Sequence, residues 1–144
     1  MIKDNEPYLI EYNVRMGDPE CQVIMPRLKT DLVQLLKASV ENKLHKVQIK
    51  WSKNKCMAIV LCSKGYPNKQ IAEKEINLER LNLNKKSFIF HASTRIKNGL
   101  LFSNGGRVLN VVVLGSVFSK IRNQIFQIIK KINWKHGFFR KDIG

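Results

Sequence analysis

The sequence predicts an α+β chain in two unequal parts: a strand and a helix from the edge of one domain, then a small, mostly antiparallel β domain with a docked C-terminal helix. Three observations predict it. Tyr8 to Arg15 alternates apolar and polar residues with the period of a strand. From Val47 onward, alternating and continuous apolar runs recur between turn residues. Phe118, Ile121, Ile125, Ile128 and Ile132 then recur at spacings of three and four, the stripe of a helix that lies on a sheet.

Residues 1–7 are polar and lead into the first strand. Tyr8, Ile10, Tyr12 and Val14 give that strand an apolar face, Glu11, Asn13 and Arg15 share the opposite one, and Gly17-Asp18-Pro19 ends it in a turn. A lone strand leaves backbone groups unpaired, so it calls for neighbours that nothing before Tyr8 supplies. Gln22 to Leu28 is apolar but interrupted by Pro26, which predicts a short helical turn or an irregular segment. Thr30 or Asp31 caps the next helix, with Leu32, Leu35, Leu36 and Val40 as its buried stripe and its end near Asn42. The boundary between the two parts falls at residues 43–46.

Beyond it, Val47, Ile49 and Trp51 alternate as a half-buried strand, and MAIVLCS (57–63) suits a central one. Gly65-Tyr66-Pro67 is a turn, and residues 68–84 read as loop with a short strand near Ile76. Further strands are predicted at Phe88–His91, Leu100–Phe102 and Val108–Leu114, with Gly105-Gly106 as the hairpin turn between the last two. Ser116 opens the C-terminal helix, and GFFRKDIG (137–144) returns as an extended or looped tail.

The chain carries 26 Lys plus Arg against 11 acids, a formal charge of +15 that raises the question of an anionic partner. The cations are spread along the sequence; the nearest approach to a cluster, Lys130-Lys131, Lys135, Arg140 and Lys141, is loosely spaced. A basic nucleic-acid-binding module, contacting its ligand through residues 116–132 and the tail, is the alternative reading. The sequence lacks the interleaved aromatics of a base-stacking platform, which argues against it. Cys21, Cys56 and Cys62 form no CxxC pair and are odd in number, which fits a reducing cytoplasm better than a disulfide framework or a zinc site. No apolar run approaches the ~20 residues of a membrane helix.

Glu11 and Asn13 present a carboxylate and an amide oxygen two residues apart on one strand face. These are hard ligands of the kind that hold a nucleotide-bound Mg²⁺ or Mn²⁺, which takes one or two protein ligands and fills the rest with phosphate and water. Arg15, one step further, is suited to a phosphoryl group in transfer, or else to a surface salt bridge with Asp18 or Glu20. Asp18 and Glu20, in the turn, are placed to meet an amine or to order Arg15. Arg107, Arg140 and Lys141 are phosphate-binding candidates that are equally read as solvated cations.

The string EYNVRMGDPECQVIMPRLKTDLVQLL, followed in order by SKGYP (63–67), FHAST (90–94), NGGRVLNV (104–111) and FRKDIG (139–144), closely resembles the phosphoribosylamine–glycine ligase family. The resemblance implies that residues 1–42 are the C-terminal edge of an ATP-grasp domain and residues 43–144 the C-terminal domain. It implies ATP-dependent ligation of glycine to 5-phosphoribosylamine through a glycyl phosphate in purine biosynthesis. Glu11 and Asn13 then stand at the metal positions of the family's E-x-N motif. It also implies that this chain is a C-terminal portion, inactive alone, whose partner is a separate N-terminal portion. Ser93 stands where the family usually has glycine, and would be strained if that position needs a positive φ.

Overall fold

The computed structural model describes residues 1–69 and 73–144. Part of the loop expected at 68–84 lies outside the described residues. A small hairpin opens the chain, pairing β1 (Ile2–Lys3) with β2 (Glu6–Pro7) around Asp4 and Asn5, both at positive φ. The strand expected from Tyr8 to Arg15 does not form. Tyr8, Ile10 and Tyr12 are exposed and Val14 is 100% accessible, because among the described residues no neighbouring strand takes up its backbone groups or covers its apolar face.

The Pro26 segment is a short helix α1 (Cys21–Ile24) running into a 3-10 turn at Met25–Arg27. Helix α2 (Leu32–Val40) starts where Asp31 accepts a hydrogen bond from the Gln34 amide at 3.0 Å. It stops at Asn42, whose positive φ lets the Lys43 and Asn42 amides return to the Ala38 and Ser39 carbonyls. Most of its expected buried stripe is exposed instead: Leu32, Leu36 and Val40 face solvent, and Leu35 is half-buried. The strand expected at 47–51 shrinks to a single bridge between Leu28 and Trp51, flanked by bonds from Lys29 to Lys50 and from Ser52 to Arg27.

From Lys55 the chain builds a core. An antiparallel sheet runs in the order β5 (Ser87–His91), β8 (Arg107–Gly115), β3 (Lys55–Ser63), β9 (Gly137–Phe138). One face, with Met57, Ile59, Leu61, Val111 and Val113, packs on Ile121, Ile125 and Ile128 of α3 (Phe118–Lys131), so the expected docking of that helix holds. Burial of these branched side chains is the main stabilising term of the molecule. The other face, with Cys56, Ala58, Val60, Asn110 and Val112, is covered by residues 17–28.

A second sheet, β4 (Glu75–Ile76), β7 (Leu100–Ser103), β6 (Thr94–Lys97), contributes Ile76 to the same core. The β6–β7 hairpin turns at Asn98-Gly99, both at positive φ, the conformation a two-residue turn of this type requires. Gly105-Gly106 is therefore not a hairpin turn. β7 and β8 belong to different sheets, and the two glycines carry the chain from one to the other.

Candidate functional site

Three of the sequence segments singled out above meet at one end of the larger sheet. Ser63, at the end of β3, donates its hydroxyl to the Gly105 carbonyl at 2.7 Å and its amide to the Gly106 carbonyl at 2.8 Å. The Tyr66 ring lies against Gly106, where a Cβ would stand 2.1 Å from the ring, so only glycine allows that approach. A Cβ on Gly105 would stand 2.7 Å from the Ser93 hydroxyl. The Ala92 and Ser93 amides both reach the Val108 carbonyl, and the Asn104 amide returns to Ser93. Ser93 does not adopt a positive φ, so the strain anticipated for serine there is absent. His91 Nδ1 and Thr94 Oγ1, 3.0 Å apart, brace the corner.

Onto this corner Arg107 draws a residue 89 positions away. Its Nη1 donates to the Asp18 carbonyl at 3.0 Å and its Nη2 pairs with Asp18 Oδ2 at 3.2 Å. The other carboxylate oxygen of Asp18 accepts from Gln22 Nε2 at 2.8 Å. Two predicted site residues thus form one contact, joined by Gln22, whose i, i+4 spacing from Asp18 was the available signal. Cys62 lies beside Arg107 in the register; burial raises its thiol pKa, and the nearby guanidinium only partly opposes that, so it stays a thiol.

Glu11 and Asn13 are also brought together, Asn13 Nδ2 donating to Glu11 Oε1 at 2.8 Å in full exposure. They offer one carboxylate and one amide, and among the described residues no group of three or more His, Cys, Asp or Glu side chains gathers as a metal cage. That donor set fits an ion whose remaining ligands come from a nucleotide, once the amide turns its oxygen inward. Arg15 pairs with neither Asp18 nor Glu20 and bonds the Met16 carbonyl at 2.8 Å. Glu20 folds back over Gly17.

Arg140 and Lys141 stand apart from this corner. Arg140 forks onto Asp142; that hydrogen bond and the paired charge raise the guanidinium pKa and hold the carboxyl low, in full exposure. Lys141 is fixed through its backbone, Arg122 holding its carbonyl at 2.6 Å and that of Ile143 at 3.1 Å.

Residues 56–144 match the family model described as phosphoribosylglycinamide synthetase, C domain. The chain belongs to that family. Among similar proteins, the phosphoribosylamine–glycine ligase of Agrobacterium fabrum is 42% identical over 145 residues, which cover 100% of this chain and 34% of that protein. The chloroplastic phosphoribosylamine–glycine ligase of Arabidopsis thaliana is 41% identical over 99% of this chain and 27% of its own length. The crystal structure of phosphoribosylamine–glycine ligase from Thermotoga maritima superposes with a TM-score of 0.76 at 29% identity, covering all of this chain and 35% of that one. The chain therefore spans about a third of the length of its ligase relatives, and the match extends through residues 1–55, outside the C-domain model.

Proposed function

We propose that this chain is the C-terminal portion of a phosphoribosylamine–glycine ligase, which joins glycine to 5-phosphoribosylamine at the expense of ATP. In this reading residues 1–42 are the edge of an ATP-grasp domain, residues 43–144 are the C-terminal domain, and the protein acts in the cytoplasm. The observation that carries it is the Arg107–Asp18 contact, which ties the turn after Glu11, Asn13 and Arg15 to the glycine corner of the C-terminal sheet.

Glycine's carboxylate first takes the γ-phosphoryl group of ATP, and the amine of phosphoribosylamine then displaces phosphate from the acyl phosphate. Such chemistry asks the protein for alignment and for stabilisation of developing charge. Glu11 and Asn13 would hold Mg²⁺ or Mn²⁺, which when bound neutralises the nucleotide phosphates. Arg15, free to leave the Met16 carbonyl, stabilises the phosphoryl group in transfer. Asp18 and Glu20 border the amine's approach, and Arg107, on release from Asp18, would offer its guanidinium to a phosphate. On the tail, Lys141 offers a cation, and Arg140 would do so on leaving Asp142.

Reconstitution tests this. The chain is mixed with the upstream two-thirds of the Agrobacterium fabrum relative, and phosphate release dependent on ATP, glycine and phosphoribosylamine is followed. The expected result is no turnover from either part alone and turnover from the mixture. Glu11→Ala lowers kcat by about 10²-fold or more while leaving the urea midpoint of the chain unchanged, and Arg107→Ala raises KM for phosphoribosylamine. Robust turnover from the 144 residues alone, or equal loss of folding and activity in Glu11→Ala, would overturn the proposal.

A further inference from the structure

Asn110 sits in the middle of the central strand β8, 1% exposed, and neither its amide nitrogen nor its amide oxygen has a hydrogen-bond partner within the described protein. Buried amides are almost always paired, and leaving one unpaired costs on the order of 1–3 kcal/mol. Valine or leucine would fit between Val108, Leu109, Val111 and Val112 without that cost. A second buried polar atom shares the predicament: Gln22 Oε1 is buried and unpartnered, while the same side chain's nitrogen holds Asp18.

The register brings the two to one side of the sheet. Asn110 lies opposite Val60 and Phe90, on the face covered by residues 17–28. Arg107, opposite Cys62, is the preceding residue of β8 on that face, because the bulge at Leu61/Cys62 takes up Val108. Asp18 and Gln22 cover the same end, since both belong to the contact that Arg107 makes.

We propose that Asn110 and Gln22 share an ordered water beneath residues 17–28, which accepts from Asn110 Nδ2 and donates to Gln22 Oε1. The link would extend the chain Arg107–Asp18–Gln22 into the centre of the sheet. A buried water is held where two to four polar groups converge on it, and these two side chains offer three unsatisfied atoms. Asn110 is then a positioning residue: it holds the segment that bears Asp18 and touches no substrate. The link itself is independent of the ligase reading; only its consequence for the amine substrate rests on it.

The test uses the 144-residue chain and two variants, Asn110→Val and Gln22→Met, the second at a half-buried position of the short helix α1, away from the main core. Water–amide cross-relaxation in NMR should show a long-lived water at the Asn110 side-chain amide, lost in Gln22→Met. Hydrogen exchange at Cys21–Ile24 should speed up at least tenfold in either variant. In Asn110→Val the urea midpoint should rise at the same time, since a branched apolar side chain replaces a buried amide and the water it must immobilise. That opposite movement is one that a purely structural role would not give. Absence of the water signal in the unaltered chain, or unchanged exchange at Cys21–Ile24 in Gln22→Met, would overturn the proposal. If Asn110→Val does not fold, Gln22→Met alone decides it.

Discussion

Two stretches with strand-like sequence meet opposite fates. From Val108 to Leu114 every residue of β8 is buried, its backbone bonded to β3 on one side and β5 on the other. From Tyr8 to Val14 the pattern is also that of a strand, yet the chain stays irregular and its apolar side chains stand in water. The contrast extends to the helices: α3 buries Ile121, Ile125 and Ile128, while α2, with a comparable stripe, buries only Ala38. Before Met57, Ala38 is the one buried hydrophobic residue among the described residues. What separates the regions is partners rather than propensity. Periodicity says which face wants to be covered, and only a neighbouring element covers it.

The largest expected effects break this comparison at the core. Ile59→Ala or Ile125→Ala, both at fully buried positions, should cost about 2–5 kcal/mol in urea unfolding. Leu36→Ala on α2 should stay within about 0.5 kcal/mol. Comparable losses at Leu36 and Ile125 would mean that α2 is packed in solution. Next comes the glycine corner. Gly106→Ala pushes a methyl into the Tyr66 ring and should cost about 1–3 kcal/mol, and Tyr66→Ala in the same chain should relieve most of that penalty. A full penalty in the double variant would show that the ring is not the obstacle.

The smallest effect sharpens the other side of the comparison. Asp31→Ala removes the cap of α2 and should weaken that helix by about 1 kcal/mol, seen as faster exchange at Leu35–Val40. The global urea midpoint should not move, since α2 adds little to the core.

Much of the C-terminal part was legible in the sequence. MAIVLCS and Val108–Leu114 are long apolar runs whose only stable setting is a sheet covered on both faces, and the stripe of α3 has one sheet to dock on. The readings that failed did so for two physical reasons. The alternation at Tyr8–Arg15 and the stripe of α2 each state a requirement for a covering partner, and among the described residues that requirement is unmet. A Gly-Gly pair signals a tight turn as readily as close approach: the hairpin turns at Asn98-Gly99, a few residues earlier, and Gly105-Gly106 serves close approach to Tyr66 and Ser93 instead. At the candidate site, Glu11 with Asn13 and Asp18 with Arg107 could be named one by one. The Asp18–Arg107 contact, spanning 89 positions, could not be read from local spacing at all.

Residues from Met57 onward hold nearly all of the buried core, while Tyr8 to Arg15 lie uncovered. Amide hydrogen exchange along the isolated 144-residue chain tests this most directly. Amides of β3 and β8 should be protected to near the global unfolding free energy, while those from Tyr8 to Arg15 exchange at close to unprotected rates. Protection at Tyr8–Arg15 comparable to that of β8 would contradict the account, because it would mean that the first strand already has its partners.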